Sequence, residues 1–243
     1  MVTTKTILVS RFNWPHPRWK NRHVSEYKKW IDDRINVFAK YTLQSVKNCY
    51  VKPDIWFLMV DNRIVDCTSQ LRSVLGDLPY RFVEYTGTSI PEAIKRELSD
   101  FEFPMEIRMS RLDTDDLISS DFFARIKALN ISVEDAKLGV VISFPGGCNY
   151  VVSEDKFYYS SYPNNPFITL VELINSPSEA KTVYWKMHTE MVSSDLIAKH
   201  ERSFHPMWSS VIHNTNTANN SLVKTNTICL SDKEYIKKKM GIY

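Results

Sequence analysis

Met105-Glu106-Ile107-Arg108-Met109-Ser110-Arg111-Leu112-Asp113-Thr114-Asp115-Asp116 is the stretch that decides the fold of this chain. Its first six residues read as a strand, and the run then ends in three carboxylates within four residues. Such a cluster is a poor way to finish a strand unless something positive sits there. While the chain is extended, alternate side chains share a face, so Asp113 and Asp115 point the same way and can address one hard cation. Mg²⁺ or Mn²⁺ suits such oxygen ligands, held by one or two protein carboxylates together with waters and substrate phosphates. Downstream, Leu117 to Ile126 contains Ser119-Ser120-Asp121, where a serine can cap a new helix and Asp121 favours its positive end. The segment reads as strand, acidic turn, helix. Open α/β sheets deliver ligand-binding residues at the carboxyl ends of their strands, which is where this turn falls. An EF-hand loop counted from Asp113 would need glycine where Ile118 stands, so that calcium motif is excluded. The bland reading of the same residues is a solvated acidic turn with a helix cap.

Outward from this stretch the chain keeps a βαβ rhythm. Lys5–Ser10 is a short buried strand ending in Arg11-Phe12-Asn13-Trp14, and Glu26 to Tyr50 carries apolar residues near helical spacing. Ile55–Val60 is continuously apolar, as a strand covered on both faces should be, and stops at Asp61. A helix over Thr68–Leu75, a strand over Tyr80–Tyr85 and a helix over Pro91–Leu98 precede the deciding strand, and a helix over Asp121–Leu129 follows it. This alternation predicts a mostly parallel α/β sheet flanked by helices. The second half changes character. Strands over Leu138–Phe144 and Tyr150–Tyr159 surround a Pro145-Gly146-Gly147 turn and suggest a smaller antiparallel region. Tyr162 to Pro166 reads as a loop, Phe167–Ile174 as an apolar segment, Lys181–Met187 as another strand, and Asn214–Asn220 as a mobile loop.

Composition bounds the function. A chain of 243 residues suits one large α/β domain, able to bury roughly 70% or more of its unfolded surface. A net charge of +3, from 31 basic and 28 acidic residues interspersed along the chain, argues against a nucleic-acid binder. No signal peptide opens the chain and no stretch approaches the roughly 18 apolar residues of a spanning helix, which points to a cytoplasmic protein. Cys49, Cys67, Cys148 and Cys229 lack metal or redox spacing and read as reduced packing residues. With only six glycines the sequence has neither GxGxxG nor GxxxxGK[ST], so no backbone-amide cradle for a diphosphate is visible. A metal held by carboxylates is the other way to handle a diphosphate, and the Asp113/Asp115 pair fits it.

Five segments carry a resemblance. Val9-Ser10-Arg11-Phe12-Asn13, Trp56 to Asp61, Arg111-Leu112-Asp113-Thr114-Asp115-Asp116, Asn165 to Glu172 and Trp208 to His213 resemble the rhamnosyltransferase family, glycosyltransferases of the GT-A type. The resemblance implies a GT-A (Rossmann-like) domain over residues 1–243, with a nucleotide-sugar-binding half at 1–130 and an acceptor-side half at 131–243. It implies a UDP- or dTDP-sugar donor, Mn²⁺ or Mg²⁺ at the Asp-x-Asp motif, and transfer to a glycan or lipid-linked hydroxyl acceptor. Rhamnose is the family label, and these residues do not select it.

The resemblance also assigns roles. Ser10, Arg11 and Phe12, at the end of the first strand, contact the nucleotide, and Asp61 offers an acid to its base or ribose. Asp113 lies toward ribose and metal, Asp115 binds metal directly, and His213 completes the metal site, with His188 as the other candidate. Arg111 offsets carboxylate or phosphate charge on the face of Asp113, and Asp116 contributes to substrate binding or fixes the turn. If the enzyme inverts, Glu172 or Glu190 takes the acceptor's proton. Asp232 to Met240 is a short basic helix that could touch an anionic membrane weakly, its three-lysine cluster falling short of the usual lipid patch. Two other classes use the same features. A nucleotidyltransferase or phosphohydrolase explains the carboxylate pair without the Trp208 to His213 segment, and a non-catalytic glycan-binding module explains the 12% aromatic content without a metal.

Overall fold

The computed structural model describes residues 2–15, 23–214 and 228–243. Its strands are β1 (Thr3–Arg11), β2 (Ile55–Val60), β3 (Tyr80–Glu84), β4 (Met105–Arg111), β5 (Leu117–Ile118), β6 (Val140–Ser143), β7 (Gly146–Val151), β8 (Lys156–Ser161), β9 (Thr169–Ile174), β10 (Ile197–His200) and β11 (Trp208–Ile212). Helices α1 (Val24–Lys40), α2 (Thr42–Asn48), α3 (Thr68–Leu75), α4 (Ile90–Leu98), α5 (Phe122–Ala128), α6 (Val133–Leu138), α7 (His188–Val192) and α8 (Lys233–Met240) connect or flank them. Seven strands form one sheet in the order β10-β6-β9-β4-β1-β2-β3. β1 lies between β2 and β4, parallel to both, and β9 alone runs antiparallel, inserted between β4 and β6. The mostly parallel α/β sheet expected from the sequence is therefore present.

Side-chain alternation on the buried strands divides the core. Leu8, Trp56, Leu58 and Val60 face α1, α2, α3 and α5, whereas Ile7, Val9, Phe57, Met59, Ile107 and Met109 face α4 and α7. Phe57 is wholly enclosed, and truncating such a ring typically costs about 3–5 kcal/mol. Helix α4 begins with a reciprocal capping box between Ser89 and Glu92 that encloses Pro91 in the first turn, which accounts for its sharp start.

A smaller sheet, β5-β11-β7-β8, packs beside the first. It is mixed: β11 runs antiparallel to β5 and parallel to β7, and β7 runs antiparallel to β8. Several sequence expectations are corrected here. The helix read over Glu26 to Tyr50 breaks at Tyr41, and the new helix begins with Thr42, whose hydroxyl donates to the Asp116 carbonyl at 2.8 Å. The strand read from Leu138 starts at Val140, because Leu138 ends α6 and Gly139 takes φ +93°. Gly146 and Gly147 are not a turn but open β7, and the strand read over Tyr150 to Tyr159 is a hairpin whose turn includes Asp155 at φ +51°. Lys181 to Met187 is not a strand, since the amides of Lys181 and Thr182 are taken by the Glu172 carboxylate instead of a neighbouring strand. The helix after the acidic turn starts from Asp121 without a side-chain cap, and Ser119 Oγ donates to the Asp121 carboxylate.

Among the described residues no helix is long and apolar enough to cross a membrane. The basic tail is a helix, α8, but Lys233 and Lys237 each reach Asp155 at 2.7 Å, which spends two of its charges within the protein.

Gly147 has a definite reason to be glycine. A β-carbon there would overlap the indole of Trp208, which stacks on Phe167 at 4.8 Å and donates from Nε1 to the Phe144 carbonyl at 2.8 Å. Gly147→Ala is therefore expected to cost about 1–3 kcal/mol through overpacking. Urea unfolding followed by tryptophan fluorescence measures it, and an unchanged midpoint would contradict this seating of Trp208.

Candidate active site

Parallel pairing carries the C-terminal ends of β1 and β4 to the same edge of the sheet. Val9 stands opposite Arg111, and the pairing continues as Leu112 donates its N–H to the Val9 carbonyl. Arg11 and Arg111 thus leave neighbouring strands close together, and Asp113 lies between them. Arg11 Nη2 reaches Asp113 Oδ1 at 3.3 Å, and Arg111 Nη2 reaches Asp113 Oδ2 at 3.2 Å. Burial raises the cost of charge on Asp113, but the two guanidinium groups outweigh it and hold the carboxyl well below its ordinary range.

The acidic turn is fastened from several sides. Thr114 Oγ1 donates to the Arg11 carbonyl at 3.2 Å, and the Asp116 amide closes the turn onto the Asp113 carbonyl at 3.2 Å. Asp116 is buried, and its carboxylate accepts the Val211 N–H at 3.0 Å. Burial, then the charges of Asp115 and Asp113, raise its pKa well above the usual carboxylate range. This bond joins the turn to β11 of the small sheet. Directly after β11, His213 Nε2 stands 3.6 Å from Asp115 Oδ2, and both side chains are largely buried. A residue 98 positions distant by number is thereby placed beside the second aspartate of the motif.

Among the described residues no three His, Cys, Asp or Glu side chains form a metal-holding group. The donors that do meet, an aspartate oxygen and an imidazole, are chemically suited to Mn²⁺ and less to Mg²⁺, with the remaining positions left to water and substrate phosphate. Asp113 faces the arginines.

The remaining candidates fall elsewhere. Ser10 is in the core, accepting from Trp56 Nε1 at 3.0 Å, and Phe12 is buried edge-on against Phe38. Neither side chain is available to a nucleotide, which corrects those two assignments and leaves Arg11, with 40% of its side chain exposed, at the end of β1. Asp61 directly follows β2 but is paired by both carboxylate oxygens with Arg63, at 2.8 Å each, while Asn13 holds its backbone. Glu172 is buried, and its register opposite Ile107 sets it back from the strand edge. Its carboxylate is occupied by the amides of Lys181 and Thr182, which corrects its reading as an acceptor base. Glu190 is exposed and caps α7 by accepting the Met187 N–H. His188 opens α7 near Arg111 and Asp113, with its imidazole pKa lowered by burial first and by Arg111 next. Apart from Asn214, the loop read over Asn214–Asn220 lies outside the described residues.

Tyr184 belongs to this site and escapes sequence reasoning. Its ring centroid lies 5.4 Å from Arg11 Cζ and 5.0 Å from Arg111 Cζ, a cation–π contact to both. It sits within a segment that reads as a strand, so only the aromatic Tyr184-Trp185 pair could have drawn attention to it.

Residues 6–225 match the family described as "Putative rhamnosyl transferase". The chain belongs to this family. No curated protein matches it. Solved structures similar to this rhamnosyl transferase family member include Rv0371c of Mycobacterium tuberculosis H37Rv in complex with manganese, at 12% identity, TM-score 0.42, and coverage of 91% of this chain and 98% of that one. A "putative nucleotide-diphospho-sugar transferase" of Desulfovibrio desulfuricans G20 is 12% identical, with TM-score 0.38 and coverage of 93% and 96%. The inositol-1-phosphate CTP transferase of T. maritima is 14% identical, with TM-score 0.41 and coverage of 99% and 98%.

Asp116→Ala leaves the Val211 N–H buried without an acceptor and is expected to cost about 1–3 kcal/mol. Asp116→Asn keeps one acceptor oxygen and should cost less. Chemical denaturation of both variants checks the order, and equal losses would show that the bond to Val211 is not what Asp116 supplies.

Proposed function

We propose that this protein is a metal-dependent glycosyltransferase that moves a sugar, rhamnose by the family's label, from a UDP- or dTDP-sugar to a hydroxyl of a glycan or lipid-linked acceptor. What carries the reading is the meeting of Asp115 with His213 at 3.6 Å, beside an arginine pair at the carboxyl edge of the parallel sheet. In this reading Asp115 and His213 would hold Mn²⁺ or Mg²⁺, which supplies charge neutralisation to a leaving nucleoside diphosphate. Arg11 and Arg111 add positive charge at the same edge, where negative charge develops as the donor's glycosidic bond breaks. The acceptor oxygen forms the new bond to the anomeric carbon and gives its proton to a base. Residues 1–130 contribute the donor side and residues 131–243 the acceptor side, with His213 reaching across to the donor's metal.

Asp115→Asn should lose Mn²⁺-dependent binding of UDP or dTDP while keeping the wild-type melting temperature, because the change removes a ligand charge at a strand end and leaves the core intact. His213→Ala should weaken nucleotide affinity in Mn²⁺ by at least about tenfold, the loss seen even for residues that only orient ligands, and much less in EDTA. Calorimetry reads both, and equal loss with and without Mn²⁺ would remove His213 from the metal site. Products separate the reading from nucleotidyl transfer: release of free nucleoside diphosphate with sugar on the acceptor supports it, whereas release of pyrophosphate overturns it.

A further inference from the structure

Around Asp113 the protein holds more hydrogen-bonding capacity than it uses. Among the described residues, the buried side-chain atoms lacking a partner include Nε of Arg11, Nε of Arg111, Oη of Tyr184 and Nδ1 of His188. Each such atom forgoes the hydrogen bond it would make in water, and folded proteins carry few of them. Four of them collected at one edge of the sheet require a common explanation.

The resident carboxylate does not satisfy them. Asp113 meets each guanidinium through a single bond longer than 3.1 Å, where an arginine facing its intended anion forms a shorter, two-pronged contact. Arg11 lies beside the Tyr184 hydroxyl without closing a hydrogen bond of ordinary geometry, and its guanidinium stands over the ring instead. Two fixed positive charges face one negative charge, so the trio of Arg11, Arg111 and Asp113 retains an excess of one positive charge. The cluster is not sealed, since 40% of the Arg11 side chain and 26% of the Asp113 side chain remain accessible. Tyr184 is itself held in place, because the segment leading to it is anchored by Glu172 through the amides of Lys181 and Thr182.

We propose that Arg11, Arg111 and Tyr184 form a phosphate clamp that works without metal, in which Asp113 is a resident counter-ion that yields its place when a phosphate group binds. A phosphate offers three or more acceptor oxygens in a compact tetrahedral array. It can take both prongs of each arginine fork and the tyrosine hydroxyl, which a lone carboxylate cannot. His188 flanks the clamp on the side of Tyr162, whose ring meets it edge-on at 6.4 Å. The phosphate belongs either to the donor diphosphate or to a phosphorylated acceptor. The clamp itself does not depend on the metal assignment to Asp115 and His213.

Calorimetric titration of the full chain with inorganic pyrophosphate in EDTA tests the proposal. Wild type should bind, and Tyr184→Phe should weaken binding about tenfold, the value of one hydrogen bond to a charged group, without lowering the melting temperature. Arg11→Gln, at a partly exposed side chain, should weaken it further. Asp113→Asn should tighten it several-fold by removing the competing carboxylate. Absence of pyrophosphate binding by wild type in EDTA overturns the clamp, as does wild-type affinity in both Tyr184→Phe and Arg11→Gln, or a folded Asp113→Asn that binds no more tightly. Competition assigns the source: displacement by UDP or dTDP but not by glycerol 3-phosphate marks the donor, and the reverse marks a phosphorylated acceptor. Metal-free binding without any sugar transfer would leave the clamp standing and sink the glycosyltransferase reading, whereas transfer without metal-free binding would do the opposite.

Discussion

Two guanidinium groups on neighbouring parallel strands have to be neutralised, and much of the site follows from that constraint. The register of β1 against β4 brings Arg11 and Arg111 to one edge, where their mutual repulsion would be severe in a partly buried setting. The protein answers with a carboxylate between them and an aromatic face against both. Asp113 supplies the charge, and Tyr184 supplies a quadrupole that stabilises cations without adding a second negative group. The acidic turn is therefore not a loose solvated loop. It is the electrostatic complement of the strand ends it joins.

A second carboxylate in the same turn has a different task. Asp116 is buried and points toward the small sheet, where it accepts the Val211 N–H, while its own carbonyl accepts the Thr42 hydroxyl. One turn thus ties together the large sheet, the second helix and β11. The close seating of the Trp208 indole on Gly147 fixes the start of that same strand. With both ends held, β11 delivers His213 to Asp115. The three aspartates of one short motif, Asp113, Asp115 and Asp116, diverge in role because their side chains meet an arginine pair, an imidazole and a backbone amide respectively.

The segment from Ala180 to Val192 shows how a buried charge can organise a loop. Glu172 sits on a central strand with its carboxylate turned to amides of that segment, which bends with Thr182 at φ +71° and then presents Tyr184 and His188 toward the arginines. Burial holds the pKa of Glu172 above the usual carboxylate range, an effect that the amides of Lys181 and Thr182 lessen without cancelling. Its importance to the site is indirect, through the position of Tyr184.

Local pattern and spacing determined the elements of the first half. Ile55–Val60 and Thr68–Leu75 appear with the expected bounds, because a continuous apolar run and a helical periodicity are properties of adjacent residues. The Arg111 to Asp116 motif marked the edge of the sheet, and resemblance to a family pointed to His213. Arg111, two residues before Asp113, was legible beside it, but the pairing of Asp113 with Arg11 and of Asp116 with the Val211 N–H was not, since those partners lie far away along the chain and are chosen by strand order. Ser10 and Phe12 look like ligand contacts in the chain, yet period-two alternation in a sheet covered on both sides turns them into the core. Glu172 resembles a free acid until the amides of Lys181 and Thr182 are brought against it. Strand order, the insertion of antiparallel β9 and the docking of the small sheet are decided by long-range burial and backbone pairing, and these also placed Tyr184 between two arginines.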